Sequence, residues 1–116
     1  MTEAVHEPVR PAHPNHLDRR RIERTLDTRE YYRYVSPRVT GVPGGYLIES
    51  PCCSRHIDME GGLIDIALLR HDCRSASWQL FRKNHDNSLW ELYSTHKCLK
   101  AAADFLSADP ERAFWP

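Results

Sequence analysis

The sequence has no apolar run of the ~20 residues that a membrane-spanning helix needs. Its longest, between Leu63 and Leu69, is interrupted by Asp65. It has no excess of one charge either: 16 Lys and Arg balance 16 Asp and Glu. That excludes the strong overall positive field of a typical nucleic-acid binder, though not a local basic patch. No Cys-x-x-Cys knuckle occurs among the 4 cysteines, which removes the commonest zinc signature. Glycine is scarce, with 5 residues. Neither Gly44-Gly45 nor Gly61-Gly62 is followed by the lysine and hydroxyl residue of a phosphate loop. The first 20 residues hold no apolar signal-peptide core. The chain is therefore expected in a cytoplasm, with its thiols reduced and no membrane partner.

What is present suits one compact domain. The chain has 116 residues, 41% hydrophobic and 28% charged, the balance of an ordinary globular protein. Residues 1–15, with Pro8, Pro11 and Pro14 and little to bury, read as a disordered tail in which His6 and His13 are solvated. Residues 16–116 read as a single α+β domain. Leu17, Ile22 and Leu26 trace a helical stripe that predicts a helix from His16 to about Arg33, with Asn15 as its N-cap. Ser36-Pro37 stops it. Short strands follow at 38–42 and 46–50, around a Pro43-Gly44-Gly45 turn. Glu60-Gly61-Gly62 marks another turn, and 63–71 predicts a central strand, apolar on both faces. Ile64, Ile66 and Leu68 are expected on one side of it, Leu63, Ala67 and Leu69 on the other. Trp78–Lys83 and Leu89–Ser94 form a hairpin, its tryptophans placed to meet across the strands. A last helix is predicted from about His96 to Ser107, capped by Ser94 or Thr95. Phe114 and Trp115 are expected to dock back on the body. The result is an N-terminal helix, an antiparallel meander of four or five strands, and a C-terminal helix packed on the sheet.

The segments "LDRRRIERTL", "GYLIES", "IDIALLR", "WQLFRK", "LWELY" and "DPERAFWP" together resemble a bacterial family, the domain of unknown function DUF3024, over residues 17–116. The chain departs from that pattern at Pro116, where glycine is expected, and in "PCCSRHIDMEGG". The resemblance implies a small bacterial domain and carries no activity with it.

Four kinds of chemistry remain to be weighed. Cys53, His56, His71, Cys73 and Cys98 supply thiols and imidazoles for an alternative reading as a zinc-stabilised module, helped by the His-x-Cys pairs at 71–73 and 96–98. The favoured reading has no metal: Cys73 and Cys98 are expected as small buried hydrophobes, and "PCCSRH" as a connecting loop. A thiol enzyme would need Cys53 beside Arg55 and His56, or Cys98 at a helix start; this ranks last. Nucleic-acid binding would use Arg19, Arg20 and Arg24 on the first helix with exposed aromatics to stack bases, although Asp18, Glu23 and Asp27 offset that charge. The first choice is a non-catalytic module that binds a protein partner. Its candidate residues are Arg19, Arg20 and Arg24 on the first helix, and Phe81 and Tyr93 on the sheet face around Trp78 and Trp90, if the helices leave that face uncovered. Self-association into a homodimer is a variant of the same idea.

Overall fold

The structure, a computed structural model, describes residues 12–30, 32, 35–51 and 62–115. The elements run α1 (His16–Leu26), β1 (Arg38–Val42), β2 (Gly45–Pro51), β3 (Leu63–Asp72), β4 (Ser77–Asn84), β5 (Leu89–His96) and α2 (Leu99–Ala108). The strands form one antiparallel sheet in the order β1-β2-β3-β4-β5. This is the expected α+β meander, with β3 at its centre. Ile22 and Leu26 of α1 share one buried cluster with Ala102 and Leu106 of α2 and with Val39, Tyr46, Ile48, Leu69, Trp78 and Leu80 of the sheet. Both helices thus lie on the same face of the sheet. Among the described residues no helix is long and apolar enough to cross a membrane.

Local chemistry explains the helix ends. Asn15 caps α1, its Oδ1 accepting the Asp18 N–H at 2.8 Å. The helix stops at Leu26 and does not continue to residue 33. The reason is Arg29, which is 4% exposed and turns its guanidinium back on the helix end. It donates to the carbonyls of Leu26 and Tyr32, each at 2.8 Å, and to that of Val35, and lies 4.7 Å from the centre of the Trp115 ring. A cation on the last carbonyls of a helix is favourable. The second helix starts at Leu99, later than expected, because β5 stays paired as far as His96, opposite Trp78. Its cap is the Cys98 thiol, which accepts the Ala101 N–H at 3.4 Å.

The C-terminal aromatics dock as expected: Phe114 and Trp115 are both buried. They are fixed by Asp109, the C-cap residue of α2. Asp109 is 1% exposed, and its carboxylate accepts N–H bonds from Ala113 (2.7 Å), Phe114 (3.2 Å) and Trp115 (3.0 Å). The Trp115 indole N–H donates to the Leu106 carbonyl at 2.8 Å.

Two bulges decide which side chains face the helices. Pairing passes from Ile48↔Ala67 to Glu49↔Asp65, so Ile66 is an extra residue in β3. Pairing passes from Leu80↔Ser94 to Phe81↔Leu92, so Tyr93 is an extra residue in β5. A bulge brings two consecutive residues toward one face. Ile66 therefore joins Ala67 and Leu69 in the core, and Leu68 points away. This corrects the simple alternation that grouped Ile66 with Leu68. The tryptophans do not pair: Trp78 opposes His96 and is buried, whereas Trp90 opposes Lys83 and is half-buried. At the β1–β2 turn Gly44 has φ 77°, and a Cβ on Gly45 would sit 1.8 Å from the Leu69 carbonyl oxygen. Both positions require glycine.

Candidate functional site

The face of the sheet turned away from the helices carries an apolar row in strict register. Thr40 pairs with Leu47, Leu47 with Leu68, Leu68 with Phe81, and Phe81 with Leu92. Partners in a ladder point to the same side, so these residues form one stripe across all five strands. Leu47, Leu68 and Phe81 are half-buried and Leu92 is 55% exposed. Among the described residues no helix covers them. One flank of the stripe holds Arg38, Glu49 and Asp65 in register, with Lys83 and Trp90 continuing it. Lys83 Nζ is 3.1 Å from Asp65 Oδ2 and 4.9 Å from the centre of the Trp90 ring. The other flank holds Arg70, Gln79 and Thr95. Glu49 and Arg70 have no ion-pair partner among the described residues.

The residues singled out from sequence are divided between the two sides of the molecule. Phe81 lies in the open stripe. Tyr93 lies on the helix side, where its ring meets Phe105 at 6.1 Å and Phe114 at 5.0 Å, and its hydroxyl donates to Glu111. Arg19, Arg20 and Arg24 sit on α1, across the sheet from Phe81. Arg19 contacts His16 Nδ1 at 3.1 Å and Arg20 lies 3.9 Å from Glu23. Of the alternative zinc ligands, Cys53 and His56 lie outside the described residues. Cys73 and Cys98 are free and exposed, not buried as expected, because one lies in the turn after β3 and the other caps α2. His71 packs against His13 and Trp78, with ring centres 5.2 and 5.1 Å away. Among the described residues, no three of His, Cys, Asp and Glu gather as metal ligands would.

Two further features were not foreseen. His13 is not solvated: its Nδ1 lies 3.0 Å from the Tyr46 hydroxyl and 3.5 Å from Asp18 Oδ2, and its ring is 4.6 Å from that of Trp78. The Asn15 N–H also donates to the Tyr46 hydroxyl, at 3.0 Å. Burial lowers the pKa of His13, Asp18 opposes that shift, and His71 reinforces it; burial raises the pKa of Tyr46. The second is a groove of about 390 Å³ between the helices, with a floor of Ile22, Leu99 and Ala103. Two of its rim cations are already engaged, Arg21 with Asp18 at 3.2 Å and Lys100 with Asp104 at 2.7 Å.

Comparison with protein families matches residues 10–116 to DUF3024, a domain of unknown function. The chain belongs to this family. No curated protein and no solved structure matches it. In this DUF3024 domain the segments that carry the resemblance occupy defined places. "GYLIES" lies in β2, "IDIALLR" in β3, "WQLFRK" in β4 and "LWELY" in β5, while "DPERAFWP" contains the Asp109 clasp. The strand segments between them supply Leu47, Leu68, Phe81 and Leu92 to the open row.

Proposed function

We propose that this DUF3024 domain is a non-catalytic binding module that docks a protein partner on its open sheet face. The cross-sheet row Leu47–Leu68–Phe81–Leu92 carries the reading. An apolar core with an aromatic at its centre and charged residues on both sides is how protein-docking patches are built. At ~4.8 Å per strand the row spans about 14 Å, the scale of a small interface. A nucleic-acid ligand fits less well. The stacking candidates Phe81 and Trp90 lie on one side of the sheet and Arg19, Arg20 and Arg24 on the other. The lysine nearest the aromatics, Lys83, is already bound to Asp65. The setting we propose is a bacterial cytoplasm, which the free thiols of Cys73 and Cys98 suit.

The test is a photoreactive phenylalanine analogue in place of Phe81, with the same analogue at Thr28, an exposed position just past α1, as control. The reading expects a polypeptide adduct of defined mass from position 81, none from position 28, and loss of the adduct when Leu68→Lys is added. An adduct to nucleic acid, or equal labelling from both positions, would overturn it.

A further inference from the structure

Taking the open face as a protein-docking surface, we infer that its partner is a second copy of this chain, related by a two-fold axis that runs along the apolar row. The arrangement of charge around the row selects both the partner and the axis.

Two sheets that pack face to face keep their strands roughly aligned, and a homodimer interface is self-complementary about a two-fold. Two such axes lie in the plane of the interface. One runs across the strands, along the row. It sets each strand over its own copy in the partner and brings opposite flanks together. The other runs along the strands. It sets β1 over β5 and brings like flanks together.

The first axis matches the charges. Asp65 and Arg70 lie on the same strand, on opposite sides of Leu68, and Glu49 is the ladder partner of Asp65 on β2. Rotation about the row therefore carries the Arg70 of each copy onto the Asp65 and Glu49 of the other, twice by symmetry. Among the described residues neither Arg70 nor Glu49 has an ion-pair partner. Lys83 meets Gln79, its neighbour two rows away on β4, and Trp90 meets Thr95 in the same way on β5. No like charges meet. Along the row Leu68, Phe81 and Leu92 each touch their own copy. The second axis places Asp65 against Asp65 and Arg70 against Arg70 at the centre of the interface, and such juxtaposition is costly. The interface is small by the standard of stable dimers, so the association is expected to be weak, in the micromolar range.

The test is sedimentation velocity on the full chain from micromolar to millimolar concentration. The expected result is a concentration-dependent species of twice the 13.5 kDa chain mass. Leu68→Lys should leave only monomer. Arg70→Glu should weaken the dimer about tenfold or more, and so should Glu49→Arg. The double swap Arg70→Glu with Glu49→Arg should recover most of the loss. Arg70 is exposed and Glu49 half-exposed, and a far-UV spectrum of each variant confirms that it is folded. A chain that stays monomeric to millimolar concentration would overturn the inference, and so would a dimer indifferent to Leu68→Lys. An Arg70→Gln variant that dimerises more tightly would point to the other axis, where neutralisation relieves the Arg70–Arg70 repulsion, and sink this one. If the chain is monomeric while position 81 still forms an adduct with a different polypeptide, the docking face stands and only the self-partner falls.

Discussion

Leu68 and Leu69 are neighbours on the central strand, and they belong to different environments. Leu69 is fully buried between Tyr46 and Leu80, under both helices. Leu68 is half-exposed between Leu47 and Phe81, with no described helix over it. The side chain is the same and the strand is the same, so the difference comes from which layer each residue meets. On the covered side, apolar area leaves water when the chain folds and so contributes to stability. On the open side, part of that gain is still to be made, most of all at Leu92, and a second surface can supply it. One sheet thus divides its two faces between the packed core and the open row proposed for docking.

The sharpest way to test that division is to truncate both leucines. Leu69→Ala should cost about 3 kcal/mol of unfolding free energy, the usual penalty for a cavity in a packed core. Leu68→Ala should cost under about 1 kcal/mol in dilute protein. Chemical denaturation of the two variants measures the contrast, and equal losses would erase the distinction between the faces.

The next effect concerns what holds the covered side shut. Asp109→Ala removes the acceptor for the N–H groups of Ala113, Phe114 and Trp115 and leaves the last two, on buried residues, without that partner. A loss of about 2 kcal/mol or more is expected. The near-ultraviolet signal of Trp115 should weaken before the sheet unfolds, and an unchanged aromatic signal would contradict the clasp.

A pH effect of smaller size also belongs to the covered side. Burial, the largest influence on His13, places its folded-state pKa below the unfolded value. The unfolded chain therefore takes up a proton first as the solution is acidified. The stability tied to neutral His13 is complete above the unfolded pKa and is lost as pH falls through it toward the folded value. His96, also lowered by burial, adds a contribution of the same sign. The melting temperature should fall from about pH 7 to about pH 5, and His13→Phe should flatten that slope without removing it. The smallest change expected is a gain. Cys98→Ser replaces a thiol cap with a strong hydroxyl cap at the start of α2, worth about 0.5–1 kcal/mol, and a higher denaturation midpoint would register it.

The sequence made the layers readable and hid the register. The α+β order, the central position of the third strand and the docking of Phe114 and Trp115 follow from apolar periodicity and turn residues. The helix ends were harder to read. The first was set by Arg29, which bonds nearby carbonyls and lies against Trp115 from the far end of the chain. The second was set by a cysteine cap, which no capping preference would pick out. The bulges at Ile66 and Tyr93 broke the alternation on which face assignments rest, so Leu68 was grouped with core residues and Tyr93 was offered as a surface aromatic. Phe81 was legible as a candidate binding residue. Its alignment with Leu47, Leu68 and Leu92 was not, because ladder pairing depends on those same bulges. The stripe is a property of the assembled sheet, and no single motif contains it.

The most direct test of the two-faced sheet is methyl NMR with a soluble paramagnetic probe in dilute protein. The account predicts that the methyl signals of Leu47, Leu68 and Leu92 broaden strongly while those of Ile48, Leu69 and Leu80 persist, and that raising the protein concentration restores the first group. Leu68 methyl groups as well protected as those of Leu69 in dilute solution would contradict it.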